Sequence, residues 1–588
     1  MKLIQVLRNT FFFSPPKIFA AWVVAFTLVF LTTPPLHAQD TERETAGAEQ
    51  ARFEKELQLE EETRSTDSKV AEKKSVIEEG RIQPEPALQN DVTFILKDII
   101  FFGNEHISSA QLKKCGGNHI GVEVNLESLK KIADEIKQYY RDKGYIAAYV
   151  YLPPQDVMEG VVTIDVVEGK LGQVDIQGNK WVSTRTLRRN FGTKSGQIVF
   201  LNNLQTALRF LNANRSIQAT AVLKPGAEPQ TTDLELNVKD QFPLHVTTDV
   251  NNLGTDNTGK NRWGLMLHDT NVLGQMDEAF ARVQLGKGLW SVGSDYNIPI
   301  NRQHTRVGFS YIRSSVDVGG PFKDLGVEGS ASTYSLYVTQ PVYSTEWLET
   351  SFQGGFDWKS VENRSLGRVS GKDEFRIMDL AFAAKENDRY GRTLLPQSVH
   401  FGFDSFLGAS NKVDSGSTRA QTGGQFFIYR GSLIRYQKLP LEMMYSMRTV
   451  WQLTPDRLAP SEQFRLGGAF SVRGYPEGDY LGDQGAFISQ EVFVPSYIFP
   501  PKWQLPYSSE PLYKQVQVVG FFDFGGGSLN RPLAAEDKRK HSAGLGGGLR
   551  IHLFDRVFAR FQWAGRVGSK SSDGNNSVFY YGISIEML

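Results

Sequence analysis

The chain has 588 residues with 65 basic and 65 acidic side chains, so its formal charge is zero and nucleic acid is not its expected partner. Aromatic residues make up 12% and charged residues 22%, beside 55 glycines. That is too ordered for a disordered chain and too polar for a bundle of membrane helices. The lone cysteine, Cys115, excludes an intrachain disulfide and any multi-cysteine metal centre.

Lys2, Arg8 and Lys17 precede an apolar run, Ile18–Leu31, followed by the small-residue site Leu36-His37-Ala38. The run is short of the ~20 residues a spanning helix needs. Residues 1–38 therefore read as a signal peptide cleaved near Ala38, the alternative being an uncleaved anchor. No later stretch approaches ~18 uninterrupted apolar residues, so an exported chain of this kind enters a membrane only with strands. Residues 41–80 carry twelve acidic and seven basic side chains, with Gly80, Pro84 and Pro86 marking their end. Residues 39–91 read as a charged helix and linker: either a disordered tether, or a mobile helix suited to a polar setting such as a water-filled channel.

Residues 99–112, IIFFGNEHISSAQL, align with 174–187, VDIQGNKWVSTRTL, at an offset of 75. Gly103/Gly178, Asn104/Asn179, Ser108/Ser183 and Leu112/Leu187 are identical. The same offset carries Leu126, Leu129, Ile132, Ala133 and Ile136 onto Leu201, Leu204, Ala207, Leu208 and Leu211, one face of a helix in each copy. Each copy predicts a strand, a Gly-Asn turn, a short helix capped by Ser108 or Ser183, a longer helix and two strands. A three-stranded sheet backed by two helices leaves an edge with which an extended peptide can pair, or the module is a spacer. Residues 144–169 contain Leu152-Pro153-Pro154-Gln155, Gly160 and Glu168-Gly169. This combination resembles the polypeptide-transport-associated (POTRA) module of two-partner secretion transporters (TpsB; haemolysin activator and haemagglutinin transporter type). The expected modules are residues 92–169 and 170–240.

From residue 241 to 588 the period is two. Val307, Phe309 and Tyr311 alternate with Arg306, Gly308 and Ser310; Val399, Phe401 and Phe403 with His400, Gly402 and Asp404; and Leu441, Met443, Tyr445 and Met447 with Glu442, Met444, Ser446 and Arg448. In lipid every backbone N–H and C=O must be paired, which closes such strands into an antiparallel transmembrane β-barrel. Counting gives about sixteen strands of ~10 residues with connections, enough to enclose an aqueous lumen. The expected fold class is thus α+β periplasmic modules followed by a transmembrane barrel in the outer membrane.

The connection 454–483 contains Val472-Arg473-Gly474-Tyr475, and a later strand carries Phe521-Phe522-Asp523-Phe524-Gly525. Both resemble motifs of the superfamily of outer-membrane assembly and translocation barrels. The resemblance implies that this loop folds into the lumen and that Arg473 pairs with Asp523, with Val472, Gly474, Tyr475, Phe521 and Gly525 around the pair. A guanidinium suits this role because its fixed fork of donors matches a carboxylate. Asp249-Val250-Asn251-Asn252 and Asp269-Thr270-Asn271-Val272-Leu273-Gly274 resemble the first two strands of the same transporters. Leu588 departs from the aromatic residue with which the family usually ends.

Gly367–Lys372 has three residues between its glycines where a phosphate loop has four, and Asp373 replaces the Ser/Thr that would hold magnesium. The nine histidines form no HExxH, and no GxSxG is present. No enzyme, cofactor or metal is expected. The resemblance implies a secretion pore whose modules bind an unfolded TpsA-like exported partner and whose loop gates the barrel. Outer-membrane lipid and, during biogenesis, the barrel-assembly machinery are the other partners implied. The alternative within the superfamily is an outer-membrane protein insertase.

Overall fold

The computed structural model describes residue 50, residues 77–79 and residues 93–587, except 158, 192–194, 229–230, 507, 509, 534–535 and 555. The expected signal peptide lies outside the described residues, as do Leu588 and the charged helix and linker apart from 50 and 77–79.

The two repeated segments fold alike, and their shared residues show why. After β1 (Ile77–Glu79), the first module runs β2 (Phe94–Ile95), β3 (Asp98–Phe102), α1 (Ser109–Gly116), β4 (Glu123–Val124), α2 (Leu126–Asp142), β5 (Tyr149–Tyr151) and β6 (Val161–Val167). The second runs β7 (Lys170–Gln177), α3 (Thr184–Phe191), α4 (Leu201–Ala213), β8 (Ile217–Pro225) and β9 (Thr231–Asp240). In the first sheet, ordered β3-β6-β5, β3 is parallel and β5 antiparallel to β6. The second sheet, β8-β9-β7, repeats that plan and gains β1 outside β8. Gly103 (φ 81°) and Gly178 (φ 86°) are left-handed, and a Cβ at either would collide with a carbonyl of the last strand, Val166 O or Val238 O. Asn104 Nδ2 donates to Ile107 O at 2.8 Å and Asn179 Nδ2 to Val182 O at 2.7 Å, closing the same turn in both copies.

Leu129, Ile132, Ala133, Ile136 and Tyr140 of α2 are buried in one core, and Leu204, Ala207, Leu208 and Leu211 of α4 in the other. The sequence pattern does not expose a second shared device. An acid at the end of each last strand turns back onto the Gly-Asn turn: Glu168 accepts from His106 N at 3.0 Å, and Asp240 from Lys180, Trp181 and Val182 N at 2.6–2.8 Å.

The closed barrel has the sixteen strands expected. They are β10 (Leu244–Asn251), β11 (Arg262–Asp269), β12 (Glu278–Gly286), β13 (Leu289–Pro299), β14 (Arg306–Val318), β15 (Val327–Ser344), β16 (Leu348–Ser365) and β17 (Arg368–Asp388). β18 (Gly391–Gly402), β19 (Phe426–Lys438) and β20 (Met444–Leu453) follow. Two short strands, β21 (Phe464–Leu466) and β22 (Tyr480–Gly482), follow in the chain but pair only with each other, outside the wall. β23 (Gln484–Pro495), β24 (Val516–Ser528), β25 (Arg539–Leu553), β26 (Val557–Val567) and β27 (Ser577–Glu586) complete it. Every neighbouring pair is antiparallel, and β10 meets β27 through five residue pairs, Thr247–Asn251 against Glu586–Gly582.

On β11, Trp263, Leu265 and Leu267 are exposed while Arg262, Gly264 and Met266 are buried. Apolar side chains outside and a charge inside invert the arrangement of a soluble sheet, and match lipid around a polar lumen. Among the described residues no helix is long and apolar enough to cross a membrane. The strand expected near 441 begins at Met444, because Leu441 (φ 59°) and Glu442 (φ 54°) form the preceding turn. Phe403 likewise lies beyond β18, which ends at Gly402.

Candidate functional site

Residues 454–483 join β20 to β23 on the side away from the modules. They fold as a hairpin, β21 antiparallel to β22, packed against β23 and β24. Phe464, Leu466, Val472, Tyr475 and Tyr480 of the hairpin cluster with Phe487 of the wall. Small wall residues admit it. A Cβ on Gly525 would lie 2.7 Å from Leu466 Cδ1, and one on Gly544 would collide with Arg473 O.

Arg473 is the polar centre of the tip. It is 4% exposed and Asp523 is fully buried. Its Nε donates to Asp523 Oδ2 at 2.7 Å and its Nη2 to Asp523 Oδ1 at 2.7 Å, a two-pronged pairing, and its backbone N–H adds a third bond to Oδ2 at 3.0 Å. The guanidinium carbon lies 3.5 Å from the centre of the Phe521 ring. Three wall residues that no motif marked complete the surroundings. Glu491 pairs with Nη1, Ser489 Oγ accepts from Nη2 at 3.0 Å, and the Tyr580 hydroxyl accepts from Gly474 N and donates to Tyr475 O, both at 3.1 Å. Ser489 and Glu491 share β23, two residues apart on one face, so the inward period was their only signal in the sequence. Gly474 takes φ 93°, and its missing Cβ leaves room for the backbone of Gly565 and Arg566.

The hairpin is also tied at points away from Arg473. Asp483 receives Arg419 Nη1 at 2.7 Å, Glu462 pairs with Lys359 at 2.9 Å and Arg430 at 3.0 Å, and Asp479 pairs with Lys540 at 2.8 Å. Gln50 also reaches the wall: it is helical, fully buried and donates to Thr333 Oγ1 on the buried face of β15.

The sixteen-stranded barrel behind two repeated modules is matched among known proteins. Residues 230–551, more than half the chain, match the haemolysin secretion/activation proteins ShlB/FhaC/HecB, and residues 94–169 match the ShlB-type POTRA domain. The chain belongs to the haemolysin secretion/activation family. It is 24% identical over 397 residues to the heme/hemopexin transporter protein HuxB of Haemophilus influenzae, covering 66% of this chain and 70% of that protein. It is 22% identical over 502 residues to the outer membrane transporter CdiB of Dickeya dadantii, covering 84% and 82%. The solved structure of CdiB from Escherichia coli has the same fold, with a TM-score of 0.73 at 19% identity over 93% of this chain and 100% of that one. As a member of this secretion family, the chain is an outer-membrane transporter for two-partner secretion, with its POTRA modules in the periplasm.

In this transporter the motif Leu152-Pro153-Pro154-Gln155 is architectural. The Gln155 amide accepts from Thr163 N and donates to Thr163 O, each at 2.7 Å, so a side chain stands in for a strand neighbour of β6. Leu152 packs on the first core, and a Cβ on Gly160 (φ 78°) would strike Ile95 O. Pro153 and Pro154 lie in the connection leaving β5, and Pro153 O accepts from Gln155 Nε2 at 3.3 Å.

The second module docks on the periplasmic rim of the barrel. Arg215 Nη2 donates to both carboxylate oxygens of Glu586 at 2.6 Å, and His245 Nδ1 lies 3.1 Å from Glu586 Oε1. These three residues join the module to the first and last barrel strands. Met276, from the β11–β12 turn, is buried within the module's own core cluster.

Proposed function

We propose that the hairpin 454–483 is the gate of this secretion pore and that the two modules receive the exported partner unfolded. The observation that carries the gate is the buried Arg473–Asp523 pairing. It fills the lumen with a structure that a polypeptide in transit must displace, and its hydrogen bonds can re-form afterwards. Gln50 at the lumen wall supports a second occupant from the polar N-terminal segment. For the modules, the support is the outer face of the first sheet, where Ile100, Phe102, Tyr149 and Tyr151 are exposed. An unfolded chain offers both apolar side chains and unpaired backbone to such a surface. Folding outside the cell supplies direction to the movement without nucleotide hydrolysis.

The test is photo-crosslinking of a partner stalled in transit. A photoreactive residue at Ser335, on the lumen side of β15, and another at Phe102, on the first module, should each capture it. Capture at neither position refutes the reading, and capture at Ser335 alone removes the modules from it.

A further inference from the structure

The second module has four strands where the first has three. The extra one, β1, comes from the chain's own N-terminal segment and pairs in parallel with β8, Ile77 opposite Ala221, Glu78 opposite Val222 and Glu79 opposite Leu223. On its other side β8 pairs with β9 along all nine residues. β8 is therefore the free edge of the folded module, and a free edge is a template for any extended chain. Among the described residues, β1 pairs with three of its residues.

We infer that β1 is a built-in competitor, holding the β8 edge of the second module until an extended segment of the exported protein displaces it. This deepens the proposed function and rests on its reading of the modules as receivers of cargo. The register supports it. Ala219, Ala221 and Leu223 turn into the core, whereas Gln218 and Lys224 are exposed and Val222 and Thr220 are half-buried on the other face. An incoming strand thus meets a backbone edge flanked by mostly polar side chains, Val222 excepted, that impose little sequence preference, as a receiver of long unfolded chains requires.

Connectivity makes the competition local. Residues 80–92 tether β1 to the first module, a span of roughly 45 Å at full extension. Such a tether holds β1 near its edge at an effective concentration on the order of millimolar, so stray peptides are excluded while a cargo already docked on the modules competes on equal terms.

The experiment uses the full-length transporter with Cys115→Ser. Glu78→Cys with Val222→Cys places a disulfide across a directly opposed pair, and a gel shift reports its formation. The oxidised protein should secrete its native partner at least about tenfold less than the same protein treated with reductant. In detergent, a fluorescent peptide of residues 73–82 should bind a variant with 77–79 replaced by Gly-Ser-Gly at least about tenfold more tightly than wild type. Equal secretion by oxidised and reduced protein overturns the inference, as does peptide binding indifferent to the replacement. The peptide arm needs no cargo, so it separates failure of the edge from failure of the modules as receivers. The latter would appear as reduced protein unable to bind the partner's unfolded N-terminal segment, which overturns both.

Discussion

Removing either side of the tip pairing is not equivalent, and the asymmetry is a sharp test of how the gate is held. Arg473→Ala takes the guanidinium from two carboxylates, Asp523 and Glu491, leaving Asp523 only the Ser489 hydroxyl. Asp523→Ala leaves Arg473 with Glu491 and Ser489. Uncompensated charge at a buried pair costs about 3–5 kcal/mol, and less where lumen water reaches it. Arg473→Ala should therefore destabilise the docked tip by about 3 kcal/mol, or over a hundredfold in its open fraction at 1.4 kcal/mol per decade. Asp523→Ala should cost about half as much. Arg473→Lys should fall between them, keeping the charge but losing the fork. The hairpin base remains anchored through Asp483 and Glu462, so the loop should flicker and not leave the lumen. Single-channel recording in planar bilayers would show frequent brief openings for Arg473→Ala, fewer for Asp523→Ala, and rescue in the double variant Arg473→Ala/Asp523→Ala relative to Arg473→Ala. Equal opening by the two single variants, in barrels that keep heat-modifiable migration, would refute the reasoning.

Three other expectations follow from named contacts. Gly544→Val should open the pore without touching a charge, since a side chain there collides with Arg473 O; unaltered conductance would contradict the packing. Arg215→Ala should free the second module from Glu586 at a cost of about 1.5–3 kcal/mol, seen as faster hydrogen exchange in β10 and β27 with no change in β16 or β17. Burial alone would raise the Glu168 carboxyl, but hydrogen bonds from the His106 backbone and ring and from Tyr140 outweigh it and hold its pKa below the ordinary glutamate value. Its contribution is present above that ordinary value and is lost as pH falls through the lower folded one. Exchange in α2 and β6 should therefore accelerate at acidic pH in wild type, and Glu168→Gln should flatten that dependence while costing about 1–3 kcal/mol near neutrality.

The fold was legible because its physics is periodic. Alternation at two residues marked the barrel strands, with departures where a turn intervened, as at Leu441 and Glu442 before β20. The 75-residue offset showed the modules because Gly103 and Gly178 answer the same steric demand. The tip residues Val472, Arg473, Gly474 and Tyr475 were legible only through resemblance, since an arginine in a loop has no local signature. Glu491, Ser489 and Tyr580 were illegible because they are ordinary inward positions whose meaning arises only when a loop from elsewhere arrives. The β1–β8 pairing was hidden for a related reason. Three residues in a charged segment carry no strand pattern, and their partner lies more than 140 positions away.

The ladder between β10 and β27 has five rungs, whereas β16 and β17 share eighteen. Beyond the last rung Asn252 prolongs it, its side chain donating to Phe579 O at 2.7 Å and accepting from Tyr581 N at 2.8 Å. A cylinder pulled apart fails along its shortest suture, so a force probe drawing on the C-terminus should peel β27 away before any other staves separate.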